Sequence, residues 1–93
     1  MIARVWRGVA ADAGAYLRHF DGSVLPALQK IAGFQGTRVL RREKEILVTT
    51  FWESMDAVRA FAGADPEKAV VEPEARAALV AFDDFVRHYE VER

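Results

Sequence analysis

The chain contains no cysteine and no asparagine. The first absence excludes a disulfide, a thiolate nucleophile and a zinc–thiolate centre. No stretch approaches the roughly 18 consecutive apolar residues that a membrane helix needs, and the amino terminus enters a strand-like pattern without a secretory apolar core. Charge of one sign is also missing. Thirteen basic residues stand against fourteen acidic ones, a net charge of -1, so no basic field exists to track nucleic acid. No glycine-rich loop follows a strand to cradle a phosphate. The acidic pairs lack the geometry of metal ligands: Asp83 and Asp84 would point to opposite faces of a strand, and Glu72 and Glu74 flank Pro73. These absences predict a cytoplasmic protein with no metal, cofactor, nucleic acid or membrane partner.

What is present is a globular composition. Hydrophobic residues make up 52% and charged residues 29%, which excludes a disordered chain. Residues 1–93 suffice for one domain with a core, although so small a domain would gain stability from a second subunit.

Residues 2–8 alternate Ile2, Arg4 and Trp6 against Ala3, Val5 and Arg7, the period of a strand. From Asp12 to Ile31, Ala13, Leu17, Phe20, Val24, Leu28 and Ile31 recur at spacings of three and four, so an amphipathic helix is expected, bent where Pro26 lacks an N–H. Gly33 ends it. Residues 34–42 and 46–52 read as strands joined by the polar turn Glu43-Lys44-Glu45. Ser54 is a good N-cap for a helix over residues 54–62, with Val58, Phe61 and Ala62 inward. Val70 and Val71 dock an irregular segment, Pro73 suits a first helical position, residues 74–80 make a short helix, and residues 84–92 alternate as a final strand. The order β, α, β, β, α, short α, β is that of a ferredoxin-like α+β sandwich with an antiparallel sheet. The helices cover one face of that sheet. Val5 against Trp6, Leu47 against Val48 and Phe85 against Val86 make the other face apolar too, so a second copy of the sheet is the expected cover and the protein is expected to be a homodimer.

Trp6 with Gly8, Pro26 followed by Gly33-Phe34, Trp52-Glu53-Ser54, Phe61, and the run from Phe82-Asp83 to His88-Tyr89-Glu90-Val91 resemble the antibiotic biosynthesis monooxygenase (ABM) family of the dimeric α+β barrel superfamily. That resemblance spans nearly the whole chain. It implies a homodimer with sheets face to face and a pocket in each subunit between sheet and helices. It also implies an oxidoreductase, with two activities to test. Haem-degrading members use an asparagine, a tryptophan and an axial histidine; here only Trp52 remains, and Ala62 stands ten residues after it where the ligand would be. Haem degradation is therefore not expected. Quinone-forming members hold substrate with an asparagine four residues before the tryptophan, where this chain has Val48.

Within this frame, His88 is the candidate catalytic base, because imidazole titrates near neutral pH. Trp52 is the candidate orienting donor through its indole N–H, and Arg4 the stabiliser of a substrate anion. Trp6 and Tyr16 are further candidates for contact with substrate. Each has a structural reading as well: Trp52 as a core anchor, His88 as a satisfied strand histidine, Arg4 in a salt bridge to Asp84 or Glu90, and the aromatic rings as filling. His19, off the apolar stripe, is expected to be exposed. The implied function is a cofactor-independent monooxygenase for an electron-rich aromatic or polyphenolic small molecule. The alternative is a non-catalytic dimeric domain that binds a small apolar ligand.

Overall fold

The computed structural model describes all 93 residues, arranged as β1 (Ile2–Ala10), α1 (Ala13–His19), a π-helical turn (Phe20–Val24), α2 (Leu25–Gln29), β2 (Phe34–Arg42), β3 (Glu45–Trp52), α3 (Met55–Ala62), α4 (Pro73–Ala77), β4 (Leu79–Phe82) and β5 (Arg87–Glu90). The sheet order is β2-β3-β1-β4, with β5 also on β1, and every pairing is antiparallel. This is the ferredoxin-like order expected from the sequence.

Local chemistry sets the helix starts. The Asp12 carboxylate accepts the Ala15 N–H at 3.2 Å and the Ser54 hydroxyl accepts the Ala57 N–H at 3.2 Å, each satisfying a donor left free at a helix start. The long first helix is in three parts rather than one. Pro26 cannot donate to the carbonyl four residues back and would crowd it, so the preceding turn widens and the Leu25 N–H bonds to the Phe20 carbonyl instead. Gly33, at φ 87°, then reverses the chain; a Cβ there would lie 2.6 Å from that of Ala57, so strand and α3 close together only over a glycine.

The C-terminal part departs from expectation. The helix predicted over residues 74–80 stops at Ala77, and Leu79–Phe82 form a strand. The final strand, predicted over residues 84–92, spans only Arg87–Glu90. Both changes have one cause: β1 is nine residues long, β5 covers only Ile2 to Val5, and the free backbone edge at Gly8 to Ala10 is taken by β4. The alanines of residues 75–78 carry helix propensity across the boundary, and tertiary pairing overrides it.

Ile46, Val48, Thr50 and Trp52 of β3 are buried under the helices, packed with Phe20, Leu28 and Val58. The far face carries Ala3, Val5, Val9, Leu47 and Phe51, flanked by Leu40 and Tyr89, which are 55% and 50% exposed. No element of the chain crosses it.

Candidate functional site

A cavity of about 110 Å³ lies between the sheet and the helical layer. Its floor is Arg4 and Trp6 of β1 with Val48 and Thr50 of β3, and its helical wall includes Tyr16, Phe20, Val24 and Leu28. Phe61 of α3 closes one side, and Val70, Val71 and Glu72 form the rim. The wall is thus apolar with a few polar groups, the usual character of a small-molecule site.

Arg4 is the unusual group. Strand register places it between Thr50 on β3 and His88 on β5, and its residue is only 4% exposed. The expected salt bridge to Asp84 or Glu90 does not form. Instead Nη1 donates to the Pro66 carbonyl and faces His88 Nε2 at 3.0 Å, while Nη2 donates to the Lys68 carbonyl at 2.9 Å. The reason is register: Glu90 sits opposite Ile2, and Asp84 borders a cleft with Val5 and Arg7, on the other face of β1 from Arg4. Burial alone pulls the Arg4 pKa down to about 10, so the group remains a cation near neutral pH, without a carboxylate partner. The Phe61 ring, 5.7 Å from its Cζ, supplies a cation–π contact. Truncating a buried charge or its partners is ordinarily worth several kcal/mol, so an uncompensated guanidinium marks a site of interest.

His88 touches the cavity only through Arg4. A guanidinium has no acceptor, so Nε2 is the acceptor and the ring proton sits on Nδ1. Burial, then the Arg4 charge, hold the His88 pKa below its ordinary value, against a smaller opposing pull from Glu67. The imidazole is neutral, and its lone pair is committed to Arg4 in this arrangement.

Trp52 lies behind the wall rather than in it. It is fully buried, its ring stacks on Phe61 at 5.2 Å and meets Phe34 edge-on at 5.4 Å. Its indole N–H donates to Thr50 Oγ1 at 2.9 Å, and it is Thr50 that lines the cavity. Trp6 and Tyr16 do line it, with ring centroids 6.0 Å apart. The Trp6 N–H is bound to the Asp83 carbonyl at 3.0 Å, and its ring folds over Gly8, where a Cβ would come within 2.7 Å. Tyr16 is 5% exposed, and burial raises its hydroxyl pKa to about 12. Arg4, Trp6 and Tyr16 therefore share one cavity, with His88 and Trp52 each one side chain removed.

Sequence reasoning missed two features. Thr50 is the polar member of the inward series Ile46, Val48, Thr50, Trp52, a signal present in the alternation. The strap from Asp65 to Val71 has no periodic pattern; it is fastened by backbone bonds, Ala69 N–H to Asp84 at 2.8 Å and Val86 N–H to Glu67 at 2.7 Å. His19, expected to be exposed, has a side chain only 13% exposed; Nε2 is enclosed without a hydrogen-bond partner, 4.0 Å from the Glu72 carboxylate at the rim.

The fold has well-matched relatives among solved structures. SnoaB, a cofactor-independent oxygenase from Streptomyces nogalater, superposes with a TM-score of 0.72 at 15% identity, over 99% of this chain and 93% of its own. A Deinococcus radiodurans protein assigned as an antibiotic biosynthesis monooxygenase gives 0.63 at 15% identity, over 100% and 94%. The heme-degrading protein Rv3592 from Mycobacterium tuberculosis gives 0.63 at 23% identity, over 100% and 93%. No protein-family model and no curated protein sequence matches the chain. The chain therefore has the fold of the antibiotic biosynthesis monooxygenases, a ferredoxin-like α+β domain. Oxygenases and haem-degrading proteins share that fold, so it leaves both chemistries open.

The residues can be tested against haem directly. No histidine, cysteine or methionine lines the cavity, Ala62 offers no ligand, and burial keeps the Tyr16 phenol protonated. This donor set does not fit a haem iron.

Proposed function

We propose that this protein is a homodimeric, cofactor-independent monooxygenase acting on a hydroxylated, electron-rich aromatic small molecule. The observation that carries the reading is an apolar cavity whose floor holds the Arg4 guanidinium without a carboxylate partner. Such a cavity lowers the energy of a substrate anion relative to its neutral form, because a fixed cation in a poorly solvated site needs no reorganisation. The anion then transfers electron density to dioxygen. For an anthrone-like substrate the ring methylene loses two hydrogens and gains one oxygen atom as a carbonyl, while the second oxygen leaves as water. The phenolic proton passes to water at the open rim. Arg4 stabilises the anion, Trp6 and Tyr16 hold the ring, His88 fixes Arg4, and Trp52 fixes Thr50. The far sheet face of Val5, Leu47 and Phe51 supports the dimer, since it offers apolar surface that nothing in the chain covers.

The test is oxygen uptake with a hydroxylated anthrone, using isotopically labelled dioxygen. One labelled atom in the product and one in water is expected. Product formed no faster than without protein, despite saturable binding, would favour the second reading, a dimeric ligand-binding domain. One observation leans that way: the His88 Nε2 and the Trp52 N–H are both engaged inside the protein.

A further inference from the structure

We propose that the cavity takes its aromatic ligand as the oxyanion, with a phenolate or enolate oxygen held jointly by Arg4 and Thr50 and approached by the Tyr16 hydroxyl from the helical side. This deepens the oxygenase reading and rests on it for the ligand class. A guanidinium carries five N–H donors. In Arg4 both Nη1 donors are spent, on Pro66 and His88, and one Nη2 donor is spent on Lys68. The Nε–H and the second Nη2–H have no acceptor in the chain, so two charge-assisted donors are left for an oxyanion.

Thr50 is the direct cross-strand partner of Arg4 and stands on the same face of the sheet. Partners so placed have Cβ atoms roughly 5 Å apart, near enough for both side chains to reach one oxygen. The Trp52 N–H fills an acceptor site on the Thr50 oxygen. The hydroxyl proton has no acceptor within the chain and is left to donate into the cavity. Tyr16, from α1, is enclosed and makes no hydrogen bond within the chain; it stays a neutral donor. The enclosed polar groups are thus donors, one of them a permanent cation. The sole carboxylate in the lining, Glu72, is at the rim, where its side chain is half exposed and faces His19. A neutral ether satisfies this set poorly, and a cation is repelled. A single ring-borne oxyanion accepts from all three.

The experiment needs no turnover. A hydroxynaphthoquinone, whose visible spectrum reports its ionisation, is titrated with the protein under argon across a range of pH. The bound ligand should ionise at a pH lower by at least about one unit than the free ligand, which is tenfold tighter binding of the anion. Its methyl ether should bind at least tenfold more weakly. Arg4→Gln should abolish the shift; because it also releases the strap, Thr50→Val and Tyr16→Phe are measured alongside, each reducing the shift with circular dichroism unchanged. An unshifted ionisation, equal binding of ether and phenol, or full shifts in Thr50→Val and Tyr16→Phe would each overturn the proposal. A normal shift with no oxygen uptake would overturn the oxygenase reading alone.

Discussion

Trp52→Phe separates a structural role from a contact with ligand, and its size follows from the surroundings of the ring. The indole is fully buried, stacked on Phe61 and edge-on to Phe34, and its N–H has one acceptor, Thr50 Oγ1. Deleting the N–H removes a buried hydrogen bond, a net loss of about 1 kcal/mol. Removing the second ring leaves a void and weakens two aromatic contacts, each ordinarily about 0.5–1.5 kcal/mol. A total near 3 kcal/mol is expected, a large share of the roughly 5–15 kcal/mol that holds a domain. For a domain of this size that lowers Tm by about 12–24 °C. Thermal unfolding followed by circular dichroism, at one fixed protein concentration because a dimer's Tm depends on it, measures the shift. Ligand affinity should change less than stability, and through Thr50 alone. A Tm within about 3 °C of the parent, with ligand affinity reduced tenfold or more, would refute this reasoning and return the indole N–H to the cavity.

Light scattering at micromolar concentration should give about twice the 10.4 kDa chain mass, and a stable folded monomer would refute the sheet-to-sheet arrangement. Because the folded protein holds the His88 pKa below its ordinary value, the unfolded chain binds that proton more readily, and this share of stability is complete above about pH 6.5 and is lost as pH falls below it. Tm should therefore drop more steeply on acidification in the parent than in His88→Gln, whose amide oxygen still accepts from Arg4; superimposable profiles would remove His88 from the account. Haem titration should give no stoichiometric Soret shift, and conversion of haem to a bile-pigment-like product would overturn the reading of Ala62.

The parts of the fold that the sequence declares are those where local pattern and tertiary demand agree. Residues 46–52 alternate cleanly after a polar turn, residues 34–42 pair with them as a strand that shifts register at Gly36, Ser54 caps α3, and the elements as far as α3 follow the expected order. Apart from the first helix, which is in three parts, the disagreement lies in residues 74–92, where an alanine-rich stretch favours helix and an unpaired edge of β1 demands strand. At the site, Arg4 and Trp6 were legible as large groups on one face of β1, whereas Tyr16, a candidate for substrate contact, stood outside the apolar stripe read through Ala13 and Leu17 and is nonetheless buried. The partners of Arg4 were not legible. Two are backbone carbonyls of a segment with no repeating pattern, and the third, His88, becomes visible only once the register of β5 against β1 is known. His19 was misjudged because its burial comes from the rim around Glu72, distant in sequence.

The widened turn at Phe20–Val24 lets the helical wall carry one extra residue without turning the side chains that face the cavity. A π turn holds one residue more than the α-helix it interrupts. Removing a single residue there would let the helix run regularly up to Pro26, and because five residues of the wide turn sweep about the same arc as four of an α-helix, α1 and α2 would keep their faces. Tyr16 would stay over the floor that carries Arg4 and Thr50, and Leu28 would stay in place. A one-codon deletion would thus leave both halves of the pocket standing and return to Pro26 the crowded carbonyl that the wide turn relieves, so that its effect falls on stability, about 3 kcal/mol, and not on the site.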